Sequence, residues 1–179
     1  MDTYTLRIAG CERTLPLCRL NDQLRIAAFV IFGDVELTTA AATALLAKAP
    51  AFDILLTAEA KGIPLAYEMA RQSGKPYLVA RKYPKLYMSD PARVTVKSIT
   101  TDQEQTLYMD APELSSMTDK RILVIDDVVS TGESLHGLLA LVQQAGGTVA
   151  GKGCILAEGD AIGRTDLLHL EPLPLFPDA

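Results

Sequence analysis

The sequence predicts an α/β fold in which a mostly parallel, twisted sheet carries helices on both faces. Strand-like and helix-like segments alternate from residue 38 to residue 157, an order that places successive strands parallel and joins them through helices. Residues 121–125 (RILVI) are apolar at nearly every position, as expected for a central strand covered on both sides. Hydrophobic residues make up 49% and charged residues 22% of the 179 residues, which is typical of one globular domain.

The N-terminal part of the chain begins with short strands and then becomes helical. Residues 4–8 and 14–17 bracket the turn residue Gly10 and are predicted to form a hairpin. The apolar run 24–32 (LRIAAFVIF) is predicted to form a buried strand. Residues 38–48 are rich in Ala and Leu, with a Thr at the start and a Lys in the last turn, and therefore predict a helix.

The next segments are two strands with a helix between them. Residues 52–57 (FDILLT) and 77–80 (YLVA) are short and apolar, and they predict strands. Residues 63–73 predict a helix, because Pro64 lies in the first turn and Gly74 lies just past the end.

A hairpin, two strands and a helix complete the predicted domain. Residues 94–99 (VTVKSI) alternate in polarity and are predicted to pair with residues 106–109 (TLYM), leaving a polar tip. The strand 121–125 precedes a helix over residues 132–145, which ends at two consecutive glycines. Residues 148–157 (TVAGKGCILA) predict one more strand.

The charge balance and the cysteines exclude several classes of protein. Lys and Arg number 17 against 22 Asp and Glu, a net charge of −5, so the chain lacks the basic surface that nucleic-acid binding needs. No apolar run approaches the roughly 18 residues of a membrane-spanning helix, and the N-terminus does not resemble a secretory signal. Cys11, Cys18 and Cys154 form no CxxC pair, which favours reduced thiols. We therefore expect a cytoplasmic protein that binds neither nucleic acid nor membrane.

The segment after strand 121–125 carries the most informative side chains. Ligands of parallel sheets bind at the carboxyl ends of strands, and Asp126 and Asp127 follow this strand at once. Two adjacent carboxylates cannot both be buried, so we expect them to face solvent, a metal ion or ligand hydroxyls. Residues 130–134 (STGES) lie at a helix N-terminus, where backbone N–H groups bind phosphate. The pattern predicts a phosphate near a diol, as in a ribose 5-phosphate; the alternative is an acidic turn with ordinary capping.

The run ILVIDDVVSTGES resembles the 5-phosphoribosyl 1-pyrophosphate (PRPP) binding motif of type I phosphoribosyltransferases. The resemblance implies the fold of that family, with a Rossmann-like sheet, a flexible β-hairpin lid and a small hood. It implies that the paired acids contact the ribose 2′- and 3′-hydroxyls and that the following loop holds the 5′-phosphate. The positions that this motif assigns to PRPP are Asp126, Asp127, Val128, Val129, Ser130, Thr131, Gly132, Glu133 and Ser134.

Two further segments, AEAKGIPLAYEMA and PYLVARK, extend the resemblance to roughly residues 50–160. It is closest to the purine branch, which comprises adenine and xanthine phosphoribosyltransferases and the related purine repressors. In the family the first segment binds pyrophosphate through backbone N–H groups, and cations after the next strand suit the same site. The positions implied to bind this part of PRPP are Glu59, Ala60, Lys61, Gly62, Arg81 and Lys82. A solvated loop lysine is the alternative for Lys61. The catalytic candidates are Asp126, Asp127 and Lys82.

Residues 83–109 resemble the lid of the family, which closes over PRPP and excludes water. Adenine enzymes carry a Glu-Tyr pair in this lid, whereas hairpin register places Lys97-Ser98 there, which is more similar to the xanthine enzymes. Oxopurine enzymes place a Lys after the last core strand, whereas this chain has Ala157 and Glu158. We expect these two residues to contact the base, with adenine slightly favoured and xanthine as the other candidate. The alternative is that Glu158 is an ordinary turn residue.

The resemblance implies one phosphoribosyltransferase domain over residues 1–179, in which residues 1–35 and 160–179 form the hood. It implies a purine salvage enzyme that makes a nucleoside 5′-monophosphate and pyrophosphate from PRPP and a purine base. Mg²⁺ is expected to arrive with PRPP rather than to occupy a metal site of the protein, and a homodimer is expected as in relatives. The alternative is a non-catalytic, PRPP-sensing regulatory protein related to purine repressors.

Overall fold

The computed structural model describes residues 2–88, 90–97 and 104–177. In chain order the strands are β1 (Thr3–Ile8), β2 (Cys11–Asn21), β3 (Leu24–Ala27), β4 (Ile54–Ala58), β5 (Tyr77–Ala80), β6 (Ala92–Lys97), β7 (Glu104–Met109), β8 (Arg121–Val129), β9 (Thr148–Glu158), β10 (Leu168–Leu173) and β11 (Phe176–Pro177). The helices are α1 (Val35–Lys48), α2 (Ile63–Ser73), α3 (Ala111–Ser115) and α4 (Glu133–Gln144), with a 3-10 turn at Gly159–Gly163. No described helix combines the length and the apolar character that crossing a membrane requires.

Five strands form a parallel sheet in the order β10-β9-β8-β4-β5, and each neighbouring pair is parallel. Helices α1 and α2 cover one face, over a core that includes Leu55 and Leu123. Helix α4 and the hairpin β6–β7 cover the other face, over Leu56 and Val124. The predicted parallel α/β sheet with helices on both faces is therefore confirmed.

The chain reverses its direction across this sheet between β4 and β8. From β4 it moves outward to β5 on one side, and it later returns to build β8, β9 and β10 on the other side. Parallel α/β sheets bind ligands at such a switch point, beyond the carboxyl ends of the two strands. Residues 59–62 follow β4 and residues 130–132 follow β8, so the topology brings both motif segments to one edge of the sheet.

Two N-terminal predictions are wrong in their boundaries. Helix α1 begins before the predicted Thr38, because the Asp34 side chain caps it by accepting a hydrogen bond from the Leu37 N–H. The strand predicted over residues 24–32 ends at Ala27. Beyond Ala27, Phe29 and Ile31 pack into the core that α1 covers, whereas Val30 and Phe32 are exposed.

The central strand is longer than the sequence predicts. Strand β8 continues past residue 125, because its parallel pairing with β9 extends as far as Val129 and Ala157. Asp126 and Asp127 therefore belong to the end of the strand and not to a turn after it. Their backbone is held by the neighbouring strand, which fixes where the two carboxyl groups can lie.

The N-terminal strands and the C-terminal tail meet in a second sheet. Strands β1 and β2 form the predicted antiparallel hairpin, and with β3 and β11 they form a four-stranded sheet in the order β1-β2-β3-β11. Strand β10, by contrast, lies at the edge of the core sheet. The hood expected from residues 1–35 and 160–179 stays a prediction, and its C-terminal part is divided between the two sheets.

The hairpin predicted within residues 83–109 is present as the antiparallel pair β6–β7. Arg81 and Tyr108 exchange two backbone hydrogen bonds of 2.8 Å, so the hairpin is attached to the end of β5. The expected polar tip over residues 98–103, with Ser98 of the Lys97-Ser98 pair, lies outside the described residues. The closing movement of a lid stays a prediction.

Candidate functional site

A cavity of about 620 Å³ opens at the carboxyl end of β8. Small-molecule sites in proteins commonly have volumes of roughly 300–1,000 Å³. Its walls come from the end of β8, the start of α4, strand β7 and the segment after β5. The lining residues are Lys82, Tyr83, Thr106, Tyr108, Asp126, Val128, Val129, Ser130, Thr131, Gly132, Glu133, Ser134 and Leu135. The structure thus brings most of the predicted PRPP motif together with Lys82.

The 130–134 loop connects β8 to α4 along one wall of this cavity. Gly132 precedes the first residue of α4 and has a φ of +81°, a left-handed conformation that other residues adopt only at a cost. The N-terminus of a helix presents backbone N–H groups and a partial positive charge, which suit an anion. The loop therefore places the N-terminus of α4 at the cavity, and the binding of a phosphate there stays a prediction.

Asp126 and Asp127 differ in what they contact. Asp126 lines the cavity, and its Oδ1 accepts a hydrogen bond of 2.8 Å from the Asp127 N–H. Asp127 is only 3% exposed, and its Oδ2 lies 3.0 Å from Nζ of Lys61. The expectation that both carboxylates face solvent, a metal ion or a ligand is wrong for Asp127. Lys61, from the loop after β4, supplies the opposite charge that a buried carboxylate requires.

The electrostatics at this end of the sheet depend on burial and on Lys61. Burial, and then the adjacent Asp127, raise the pKa of Asp126 to about 8, although the Lys61 ammonium acts in the opposite direction. Burial also raises the pKa of Glu158, again against the effect of Lys61. One ammonium group therefore acts on three carboxyl groups around the end of β8.

The raised pKa of Asp126 predicts that the free energy of unfolding falls as the pH rises from about 4 to about 8. The folded state keeps this proton up to about pH 8, whereas an unfolded chain loses it near pH 4. Between these values the folded state binds more protons, so stability declines, by at most about 1.4 kcal/mol per pH unit. Chemical denaturation at pH 5 and pH 8 measures the slope, which Asp126→Asn is expected to flatten.

Asp53→Asn is the matched control for this pH dependence. The partly exposed Asp53 carboxylate is hydrogen-bonded to Arg121, which lowers the pKa of Asp53 well below its ordinary value. Its contribution to stability is therefore complete above pH 4 and is lost only at lower pH. A decline between pH 5 and pH 8 that is as steep in Asp126→Asn as in the wild type would contradict the assignment to Asp126.

The loop after β4 is held by charged contacts around Glu59. The Lys82 N–H donates a hydrogen bond of 3.0 Å to Glu59 Oε2. Lys85 Nζ and Arg81 Nη1 lie 3.6 and 3.9 Å from Glu59 Oε1, and the peptide bond between Glu59 and Ala60 is cis. The two segments predicted to bind pyrophosphate are therefore in contact, and Lys85 joins them as a cation that the sequence did not indicate.

Gly62 lies where the loop after β4 packs against the end of β8. A Cβ atom at this position would overlap Thr57 Oγ1 and would lie 3.0 Å from Asp126 Oδ1. Thr57 is completely buried, and its hydroxyl oxygen has no hydrogen-bond partner in the part of the chain that the structure describes. The glycine is required here because there is no space for a side chain.

Ala157 and Glu158, the predicted base contacts, form the end of β9. Ala157 is buried and Glu158 is partly buried. Lys61 Nζ lies 3.5 Å from the carbonyl oxygen of Phe29, so the N-terminal segment reaches the same charged cluster that affects Glu158. A contact between these residues and a base stays a prediction.

Four residues that line the cavity were not predicted from the sequence: Tyr83, Thr106, Tyr108 and Leu135. Thr106 and Tyr108 alternate along β7 and therefore share one face of the hairpin, a local signal that could have grouped them. That this face meets the cavity depends on the bridge to Arg81, a contact between distant segments that no local pattern encodes.

Comparison with known sequences identifies a family and several related proteins. Residues 37–166 match the family described as phosphoribosyl transferase domain. A xanthine phosphoribosyltransferase of Stutzerimonas stutzeri (strain A1501) is 33% identical over 114 residues, which are 63% of this chain and 59% of the relative. One of Pseudomonas fluorescens (strain SBW25) is 32% identical over 149 residues, or 83% of this chain and 74% of the relative. The chain thus spans about three fifths of the length of the first relative.

Comparison with solved structures gives the same architecture. The crystal structure of an adenine phosphoribosyltransferase from Rhodothermus marinus DSM 4252 superposes with a TM-score of 0.68 and covers 96% of this chain and 94% of that chain. The two sequences are 20% identical. At this level of identity the similarity is one of fold, and it includes the core sheet on which the cavity lies.

Proposed function

The chain belongs to the phosphoribosyltransferase family, and on this premise we propose that it is a purine phosphoribosyltransferase of purine salvage. It converts PRPP and a purine base to a nucleoside 5′-monophosphate and pyrophosphate. One observation carries the proposal: Asp126, the 130–134 loop and Lys82 line a single cavity at the switch point of a parallel sheet. A sugar phosphate that carries a second, anionic leaving group needs these three features together.

The 130–134 loop holds the 5′-phosphate of PRPP in this proposal. The loop contributes the N-terminal backbone N–H groups of α4 and hydroxyls such as those of Ser130 and Thr131, and it lines the cavity along its whole length. The ribose 2′- and 3′-hydroxyls bind at the end of β8, where Asp126 lines the cavity and Asp127 holds Lys61. A carboxyl group can accept a hydrogen bond from a ribose hydroxyl whether or not it is protonated, so Asp126 can orient the ring.

The pyrophosphate group of PRPP binds between the 59–62 loop and the segment after β5. The side-chain cations of Arg81 and Lys85 lie near Glu59 at the contact between these segments, and the Lys82 backbone N–H donates a hydrogen bond to the same carboxylate. Phosphate oxygens attract Arg and Lys strongly, so pyrophosphate competes with Glu59 for these cations. The arrangement supports a site in which the leaving group is held by cations that the protein already keeps close together.

The reaction depends on positioning and on charge stabilisation. A purine ring nitrogen attacks C1′ of PRPP, and the bond between C1′ and the pyrophosphate oxygen breaks with its electron pair on the oxygen. Negative charge therefore develops on the leaving pyrophosphate, and the proton of the ring nitrogen is released to water. Lys82 lines the cavity and Arg81 lies beside it, so both can compensate for this charge. Thr106 and Tyr108 bring the hairpin β6–β7 to the cavity wall, where it shields C1′ from water.

Mg²⁺ is the cofactor that the family implies, and Asp126 in the cavity offers carboxyl oxygens, the kind of ligand that this ion prefers. In the described part of the chain, no three His, Cys, Asp or Glu side chains are grouped so as to hold a metal. Mg²⁺ commonly keeps several waters and binds through substrate phosphates with few protein ligands. The ion would neutralise part of the pyrophosphate charge, while the protein residues described above hold PRPP itself.

Adenine and xanthine are the two candidates for the purine base. Adenine is slightly favoured, because Glu158 at the end of β9 offers a carboxyl group that can accept a hydrogen bond from an exocyclic amine. Xanthine is supported by the two relatives named above, which are xanthine phosphoribosyltransferases. We further propose a homodimer in the cytoplasm, as the family resemblance implies; the three cysteines are unpaired, which agrees with a reducing compartment.

A direct assay tests the proposed function. The protein is incubated with PRPP, Mg²⁺ and adenine, xanthine, hypoxanthine or guanine, and both nucleotide and pyrophosphate are measured. We expect equimolar nucleotide and pyrophosphate with at least one of the four bases, adenine or xanthine before the others. No turnover with any base would reject the enzyme, and calorimetry that shows tight PRPP binding without turnover would favour the PRPP-sensing regulatory alternative.

A further inference from the structure

Arg164 contacts the 130–134 loop from a distant part of the chain. It follows the 3-10 turn Gly159–Gly163 that comes after β9. A Cβ atom on Gly132 would lie 3.1 Å from Nη1 of Arg164, so the guanidinium group lies against the backbone of the loop. The proximity has no counterpart in the sequence motif, which ends thirty residues earlier.

The orientation of this guanidinium group is fixed by Asp166. Arg164 Nε and Nη2 each donate a hydrogen bond of 3.0 Å to the two carboxylate oxygens of Asp166. This bidentate hydrogen bonding uses Nε and Nη2. Nη1, the nitrogen nearest to Gly132, has no hydrogen-bond partner among the residues that the structure describes. Lys152 also forms an ion pair with Asp166, so the three side chains together carry a net charge of +1.

Arg164 matters to the 130–134 loop because the loop has no positively charged side chain of its own. Residues 130–134 (STGES) include Glu133 and no cation, so the loop adds a negative charge at the place where it is proposed to bind a phosphate. Backbone N–H groups alone offset only part of the charge of a phosphate dianion. A guanidinium group is always charged at neutral pH, and its planar set of donors suits phosphate oxygens.

We propose that Arg164 is a phosphate-binding residue of the site, which supplies positive charge through Nη1 to the anion held by the 130–134 loop. Asp166 keeps the guanidinium group in place by holding its other two nitrogens. The inference rests on the proposed function, because it takes the anion to be the 5′-phosphate of PRPP. It adds a residue that none of the three segments with the PRPP resemblance contains.

Calorimetry with three probes tests the role of Arg164. Ribose 5-phosphate, PRPP and pyrophosphate are titrated into the wild type and into Arg164→Gln, Arg164→Lys and Arg121→Gln. Arg121→Gln is the matched control, because Arg121 makes a similar fork to Asp53 at the opposite end of β8. We expect Arg164→Gln to raise the Kd of ribose 5-phosphate and of PRPP by about tenfold, and Arg164→Lys to restore most of the affinity. Pyrophosphate affinity is expected to stay within about twofold in all variants.

The outcomes separate this inference from the proposed function. If the wild type binds ribose 5-phosphate and PRPP and Arg164→Gln binds them equally well, Arg164 has no part in the site and the inference is wrong. If Arg164→Gln weakens pyrophosphate to the same extent, the residue only supports the fold, which also contradicts the inference. If the wild type binds neither ribose 5-phosphate nor PRPP, the proposed function fails and this inference fails with it. Pyrophosphate titrated into the same preparation reports whether the variant is folded.

Discussion

Asp127→Asn is expected to bind PRPP about 10- to 100-fold more weakly than the wild type. The Asp127 carboxylate is buried and holds Nζ of Lys61 at 3.0 Å. An amide oxygen can still accept a hydrogen bond from an ammonium group, but it carries no charge. The variant therefore loses the ion pair that holds Lys61 at the end of β8. Calorimetric titration of PRPP measures the effect, and the loss applies whether the protein catalyses transfer or only senses PRPP.

The matched control for this variant is Asp53→Asn. It removes one carboxylate charge from an ion pair with Arg121 at the opposite end of the same sheet, so we expect PRPP affinity to be unchanged. Lys61→Met tests the partner, and the double variant is expected to be little weaker than either single one, because both remove the same ion pair. Unchanged PRPP affinity in Asp127→Asn would contradict the assignment of the ribose site.

Gly62→Ala is expected to lower the free energy of unfolding by about 1–3 kcal/mol and to reduce PRPP affinity at least about tenfold. The added methyl group would overlap Thr57 Oγ1 and approach Asp126 Oδ1. Thr57 is completely buried and has a β-branched side chain with few rotamers, so the 59–62 loop must move instead. Chemical denaturation and PRPP titration measure the two effects.

Two variants make the steric explanation of Gly62→Ala testable. Gly163→Ala is the control, because an added Cβ at that glycine has open space around it, and we expect little change in stability. Thr57→Ala removes the hydroxyl group that the new methyl group would meet, so it is expected to restore part of the stability when combined with Gly62→Ala. A Gly62→Ala variant as stable as Gly163→Ala would show that the loop is not packed as described.

The sequence predicts best the elements whose ends are marked by local residues such as proline at the start of a helix and glycine at its end. Helix α2 has the predicted bounds, because Pro64 lies in its first turn and Gly74 adopts the left-handed conformation at its end, with φ 68°. Strand β8 lacks such a signal. The two aspartates look like the end of a strand, but pairing with β9 continues to Val129, and cross-strand pairing is not visible in a local window.

The residues of the candidate site likewise fall into those that a local motif identifies and those that depend on contacts between distant segments. Asp126 and the 130–134 loop are adjacent in sequence, so a motif finds them, and the switch point of the sheet brings the 59–62 loop to the same edge. The burial of Asp127 depends on Lys61, and the position of Arg164 depends on Asp166 and on the turn after β9. Both are contacts between distant segments, which only the folded chain defines.

The most direct test of the account is a crystal structure with ribose 5-phosphate bound. We predict that the phosphate lies within about 3 Å of backbone N–H groups of the 130–134 loop, with the 2′- and 3′-hydroxyls at the carboxyl groups near the end of β8. Density for the sugar phosphate away from this cavity, or a phosphate that makes no contact with that loop, would contradict it.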